Sequence, residues 1–218
     1  MRRDEADRGA LLPLLALLVL AAAAFAGMLL FQQATRAAPH AVDEAILLSL
    51  RSPGNPADPI GPAWLEEAAR DITSLGSNTV LGLGGLCLTA LFAVQGRRRE
   101  ALVVLAAVGG AIIVANGLKL AFDRPRPDLV PHATRIFTSS FPSAHATAAA
   151  MVYLTLGALY ARSLPQPAAR AAVMAIAIVL TLLIGVSRIY LGVHWPSDVV
   201  AGWNAGAAWA LAWRAFAR

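Results

Sequence analysis

Apolar residues gather in six blocks along the chain, at roughly 11–31, 75–94, 101–120, 144–161, 171–190 and 197–216. A helix that crosses a bilayer needs about 20 mostly apolar residues, and each block approaches that length. The first, LLPLLALLVLAAAAFAGMLLF, carries no charge. Arg2, Arg3 and the AFA at 24–26 give it some likeness to a cleaved leader. Its apolar run is longer than the ~7–15 residues of a leader core and continues beyond that site, so a retained span is expected. The later blocks are rich in Ala and Gly, as helices packed tightly on one another require. The pattern predicts an all-α, six-span bundle forming a single domain over 1–218.

Between the first two blocks lies a long polar stretch, 32–74, centred on the turn-forming SPGNPADP. The flanking pieces VDEAILLSL and PAWLEEAARDITSLG have helical periodicity. They are expected as amphipathic helices along the membrane surface, with a plain tether as the alternative.

Composition supports the membrane reading. The 218 residues are 58% hydrophobic and only 14% charged, with a mean hydropathy of +0.62; soluble domains carry roughly 25% charged residues. The net charge is +5, but the charges sit between apolar blocks and form no long basic stripe. The expected partner is therefore the bilayer and not a nucleic acid. Cys87 stands alone in an apolar stretch, which excludes an intrachain disulfide.

Arginine placement sets an orientation. Arg2, Arg3 and Arg8, then Arg97–Arg99, then Arg162 and Arg170, then Arg214 and Arg218 all fall on one side of a six-span layout. Short cytoplasmic loops are enriched in Lys and Arg, so both termini are expected in the cytoplasm. The opposite face receives 32–74, 121–143 and 191–196.

That opposite face carries polar residues the topology rule does not explain. KLAFDRPRPD at 119–128, SFPSAHA at 140–146 and SRIYLGVHWPSD at 187–198 all arrive there. Ionisable groups at the ends of spans are costly and read as functional. Tyr190 and Trp195 are ordinary interfacial aromatics. Lys119, Arg126 and Arg188 would make a positive pocket that repels a metal cation and holds a phosphate through charge-assisted hydrogen bonds. Pro142 suits a first helical position, leaving the N–H groups of Ser143 and Ala144 free for an anion. Asp198, four residues after His194, can accept one imidazole proton and leave the other nitrogen as a nucleophile. His145 is placed to protonate a leaving oxygen. Together these groups specify phosphoryl transfer through a phosphohistidine, a reaction governed by positioning and charge; no metal and no cofactor is expected.

The three stretches resemble the signature of the type-2 phosphatidic acid phosphatase and vanadium haloperoxidase superfamily. They stand as Lys119 to Arg126-Pro127, Pro142-Ser143-Ala144-His145, and Ser187-Arg188 to His194 and Asp198. The resemblance covers about 80 residues in its motifs and implies the membrane lipid phosphatase branch. It implies a phosphate clamp of Lys119, Arg126 and Arg188 assisted by Ser143 and the amide of Ala144. It implies His194 as nucleophile, Asp198 as its partner and His145 as general acid. Arg124 and Ser187 are expected just behind the clamp, with a contact to a diphosphate as the alternative for Arg124. Ala144 replaces the family's usual glycine and should narrow the pocket modestly.

The expected activity is metal-independent hydrolysis of a lipid phosphate or diphosphate at the extracytoplasmic face of the cytoplasmic membrane. A phosphotransferase would use the same residues, and an anion transporter is a distant alternative. Undecaprenyl diphosphate, phosphatidic acid, phosphatidylglycerophosphate and diacylglycerol diphosphate all satisfy the motifs, which say nothing of oligomeric state. His40 and His132 have no role in this scheme, and 32–74 could close over a lipid entering from the bilayer.

Overall fold

The computed structural model describes Gly27, 41–131 and 138–216. The first expected span, His40 and His132 lie outside the described residues. Seven helices and one hairpin follow in order: α1 (Ala41–Ser49), β1 (Arg51–Ser52), β2 (Asn55–Pro59), α2 (Ala63–Ser74), α3 (Asn78–Val94), α4 (Arg98–Ala121), α5 (Ala144–Ser163), α6 (Pro167–Tyr190) and α7 (Pro196–Phe216).

Among the described residues three helices, α4, α5 and α6, are long and apolar enough to cross a membrane. A fourth span results if α2 and α3, which meet at 49°, count as one broken crossing. Among the described residues, two of the expected blocks, those of α3 and α7, do not meet this measure alone. α3 has only 17 residues, and α7 combines Asp198, Asn204 and Arg214 with many Ala and Gly, which keeps its hydropathy low. α4 separates its ends by roughly 35 Å at 1.5 Å per residue. Arg98 sits at one end and Lys119 near the other. Arg162, at the end of α5, donates to the carbonyl of Arg214 near the end of α7 at 2.6 Å. The arginine-rich termini of α4, α5 and α7 therefore lie away from the end that carries Lys119.

The bundle is built on α5. Its residues 146–150, ATAAA, are all buried and present a smooth face of small side chains. α7 packs against this face through two glycines a turn apart. A Cβ at Gly202 would stand 2.7 Å from Thr147 Oγ1 and 3.1 Å from the Ser143 carbonyl. At Gly206 it would stand 2.1 Å from Ala150 Cβ. Contact this close between small residues is how helices associate where solvent gives no hydrophobic drive.

The segment 41–74 is neither a tether nor a pair of isolated surface helices. SPGNPADP forms an antiparallel hairpin pairing Arg51 with Pro59 and Ser52 with Asn55, turned by Gly54 at φ 79°; this corrects the purely helical expectation. α1 and α2 are present as expected, but each is pinned to the bundle. Leu47 of α1 enters a cluster with Val130, Ala146, Ile189, Trp195 and Val199. Ala69 of α2 packs with Tyr190, Leu191 and Val193. Arg51 donates to the Tyr190 carbonyl at 2.8 Å, and the Tyr190 hydroxyl donates to the Ile60 carbonyl at 2.8 Å. At the α2–α3 bend, Gly76 lets the backbone approach Ile184 and His145, where a Cβ would meet Ile184 Cγ2 at 2.6 Å.

The α5–α7 contact should be the most sensitive packing in the molecule. Gly206→Ala is expected to cost about 1–3 kcal/mol through overpacking and lower the melting temperature in detergent. Gly84→Ala, where a Cβ meets nothing within 4 Å, should leave it within about 0.5 kcal/mol. Equal melting temperatures for the two variants would refute this account of the packing.

Candidate active site

Four segments converge at the Lys119 end of the bundle: the last turn of α4 with the strand-like run after it, the start of α5, the α6–α7 connection, and α1. Each is bent toward the site by its own chemistry. Phe122 leaves α4 in extended backbone and packs edge-on to Phe141, centroids 5.0 Å apart. The Ser140 N–H donates to the Arg124 carbonyl at 2.9 Å, tying the residues before α5 to the run after α4. Gly192, at φ 72°, turns the chain out of α6, and Pro196 starts α7.

His194 lies at the centre, 1% exposed. Arg126 Nη1 approaches His194 Nε2 at 3.2 Å. A guanidinium has only donors, so this geometry requires Nε2 to carry a lone pair and Nδ1 the proton. Nδ1 faces Asp198 Oδ2 at 3.5 Å. That is too long and misaligned for a hydrogen bond, and Nδ1 has no partner among the described residues. The pair is a close approach of a neutral ring to a carboxylate oxygen. Burial holds the imidazole well below its ordinary 6.5, and the charges of Arg126, Arg188 and Lys119, with His145, add to the effect. The imidazole is therefore neutral, as a nucleophile must be.

The cations are held by neutral acceptors. Lys119 Nζ donates to the Ser139 carbonyl at 2.6 Å. Arg126 donates to the carbonyls of Thr138, Val193 and Ser139 at 2.8, 2.7 and 3.2 Å. Burial draws Arg126 down to about 10, opposed by Asp198, which leaves it charged at neutral pH. Arg188 donates to Thr73 Oγ1 at 3.0 Å. Two buried donors, Arg188 Nε and Ser143 Oγ, have no partner among the described residues. Each such orphan costs about 1–3 kcal/mol, a penalty that the oxygens of a bound phosphate would remove.

The structure thus brings together Lys119, Arg126, Arg188, His194, Asp198 and His145, the last half-buried in the first turn of α5. It alters three expectations. Ser143, not Pro142, precedes the helix as its N-cap, and the Ser143 N–H donates to the Asp198 carbonyl at 3.1 Å, so it is not free for an anion. Ala144 is the first residue of α5. Ser187 turns its hydroxyl to the Ile184 carbonyl at 2.7 Å and takes no part. Arg124 is no diphosphate contact: it is 2% exposed and bonds Asp198 Oδ1 at 2.6 Å, Asp43 Oδ2 at 3.0 Å and Ser197 Oγ at 2.8 Å.

Several members of the site had no signal in the sequence. Asp43 looked like an ordinary acid in a first helical turn. Thr73 sat within a helix read as amphipathic. Ser140, which donates to Asp198 Oδ2, and Ser197 were inconspicuous among turn residues. Trp195 orders the loop from both ends: its N–H donates to Asp198 Oδ2 at 3.0 Å and its indole to the Pro125 carbonyl at 3.1 Å.

A helical membrane protein with a cationic pocket around a neutral histidine defines a class that binds and transfers phosphate. Comparison with known proteins gives the class its name. A model of the PAP2 superfamily matches residues 100–218. Phosphatidylglycerophosphatase B of Bacillus subtilis is 31% identical over 174 residues, 79% of this chain and 80% of the relative. Decaprenylphosphoryl-5-phosphoribose phosphatase of Mycobacterium tuberculosis is 37% identical over 142 residues, 64% of this chain and 73% of the relative. The crystal structure of a transmembrane PAP2-type phosphatidylglycerolphosphate phosphatase from Bacillus subtilis superposes with a TM-score of 0.70 at 28% identity, covering 95% of this chain and 94% of that one. The chain belongs to the PAP2 superfamily and is a membrane lipid phosphatase.

The buried neutral imidazole has a consequence for stability. In the unfolded chain His194 takes up a proton near its ordinary 6.5, while in the folded protein it does so only well below that. The unfolded state therefore binds more protons as pH falls, and folding stability drops below about pH 6.5. Melting curves in detergent between pH 7 and 5 should fall less steeply for His194→Asn than for the parent protein. Parallel slopes would mean that the imidazole is not held neutral.

Proposed function

We propose that the protein hydrolyses a lipid phosphomonoester through a phosphohistidine at His194, without a metal ion, at the extracytoplasmic face of the cytoplasmic membrane. The approach of the Arg126 guanidinium to His194 Nε2 carries this reading, since it puts a nitrogen lone pair among the cations suited to a phosphoryl group. A phosphate dianion is a stronger acceptor than the carbonyls that now hold Lys119 and Arg126, so substrate would take over those donors. Nε2 attacks phosphorus as the bond to the lipid oxygen breaks, and His145 supplies the proton that this oxygen needs. Asp198 steadies the resulting imidazolium through Nδ1. Water then attacks the phosphohistidine, gives a proton to His145 and releases inorganic phosphate. The three cations would repel a divalent metal from the same position.

Two considerations favour a monoester over a diphosphate. Arg124, the one extra cation near the clamp, is engaged by two buried carboxylates and cannot reach a second phosphate. The two relatives described above are named for substrates ending in a phosphomonoester. The outer-face assignment is supported by the arginines at the far end of the bundle, which read as cytoplasmic.

Phosphate release by the purified protein tests the proposal. Phosphatidylglycerophosphate or phosphatidic acid should turn over at least roughly tenfold faster than undecaprenyl diphosphate. Activity should persist in EDTA and be blocked by vanadate, and His194→Ala should lose about a thousandfold or more. Preference for the diphosphate, or abolition by EDTA, would sink the proposal.

A further inference from the structure

We infer that Asp43 and Arg124 form a positioning relay that aims the Asp198 carboxylate at His194; the inference rests on reading His194 as the nucleophile. Asp43 belongs to α1, 81 residues before Arg124, and is 3% exposed. It grips two things at once. Its Oδ2 accepts from Arg124 Nη2 at 3.0 Å and from the Ser197 hydroxyl. Its Oδ1 accepts the Ser197 N–H at 2.8 Å, so an acid from another helix caps the N-terminus of α7, where Asp198 stands. Arg124 Nη1 in turn donates to Asp198 Oδ1 at 2.6 Å and to Ser197 Oγ at 2.8 Å. The arginine is thus fixed by carboxylates on both sides and by the hydroxyl between them.

This arrangement divides the two oxygens of Asp198. Oδ1 is committed to Arg124. Oδ2 holds the Ser140 hydroxyl and the Trp195 N–H and faces the imidazole at 3.5 Å. Without Asp43, the Arg124 fork keeps a single carboxylate partner. It is then free to rotate toward both Asp198 oxygens, and its undivided charge weakens the support that Asp198 gives the imidazolium formed during reaction. The phosphate clamp is untouched, because Lys119, Arg126 and Arg188 bond elsewhere. The relay therefore acts on the chemical step and not on substrate binding. Arg124 and Asp43 touch no substrate; they are positioning residues.

The test is the kinetics of phosphate release from phosphatidylglycerophosphate in detergent for the full chain. Asp43→Asn and Arg124→Lys should each lower kcat about 10- to 100-fold and leave KM within about threefold. In an Asp198→Asn background, Asp43→Asn should add less than about twofold, because its route to the imidazole is gone. A loss confined to KM, or an Asp43→Asn effect of full size in the Asp198→Asn background, would overturn the relay in favour of a purely structural role. Should Asp43→Asn fail to fold, Ser197→Ala decides: it removes only the bridging hydroxyl, should lower kcat at unchanged KM, and overturns the relay if kcat is unaltered. His194→Ala with full turnover would sink the phosphohistidine reading itself, a result distinct from any of these.

Discussion

Three cations packed around a neutral imidazole repel one another, and the architecture of this protein answers that repulsion. Two unit charges a few ångströms apart in a partly buried setting interact by several kcal/mol, so Lys119, Arg126 and Arg188 cannot be left to find their own positions. Each is tied to acceptors distant in sequence: Lys119 to Ser139, Arg126 to Val193 and Thr138, Arg188 to Thr73. The acceptors for the first two are backbone carbonyls and for the third a hydroxyl. None is a carboxylate, so the positive field is restrained without being neutralised. The acids near the site are kept one layer back, where Asp43 and Asp198 meet Arg124 in a buried arrangement of their own. Breaking such a buried pair costs roughly 3–5 kcal/mol because it strands a charge. The same contacts therefore hold the fold together and keep negative charge away from the phosphate position.

That layering depends on the bundle allowing close approach. α7 can bring Asp198 under His194 only because Gly202 and Gly206 let it lie directly on the alanine face of α5. The Ser143 N–H then reaches the Asp198 carbonyl, locking the start of one helix to the start of the other. The alanines after His145 are thus more than membrane filler. They form the flat surface that sets the spacing between His145, His194 and Asp198. α2 adds the remaining wall: the bend at Gly76 brings Thr73 onto Arg188.

Much of the site could be read from the chain because its chemistry concentrates in three short stretches whose spacing is fixed by helix ends. Arg126 and Arg124 are two residues apart, and in extended backbone that spacing would point both the same way; the distance from Lys119 favoured Arg126 for the clamp, but did not reveal the buried partners that Arg124 takes instead. Asp43 was illegible for a different reason. Its partner lies 81 residues away, and an acid near a helix N-terminus is already accounted for by the helix dipole. The hairpin at 51–59 was missed because Pro and Gly mark a turn without revealing that the flanks pair. The last block is Ala-rich and carries polar residues at both ends, so its place as α7 shows in its packing on α5 more than in its hydropathy.

The alanine at 144 shows how far local geometry can replace a family habit. Glycine matters where backbone must adopt positive φ or admit a ligand closer than a Cβ allows. Here the residue begins α5 directly after the N-cap, and no residue other than glycine among those described has positive φ. Alanine therefore occupies the position without backbone strain and gains the helix propensity that glycine lacks, about 1 kcal/mol in a helix interior. What it adds is one methyl group at the start of α5, one residue before His145.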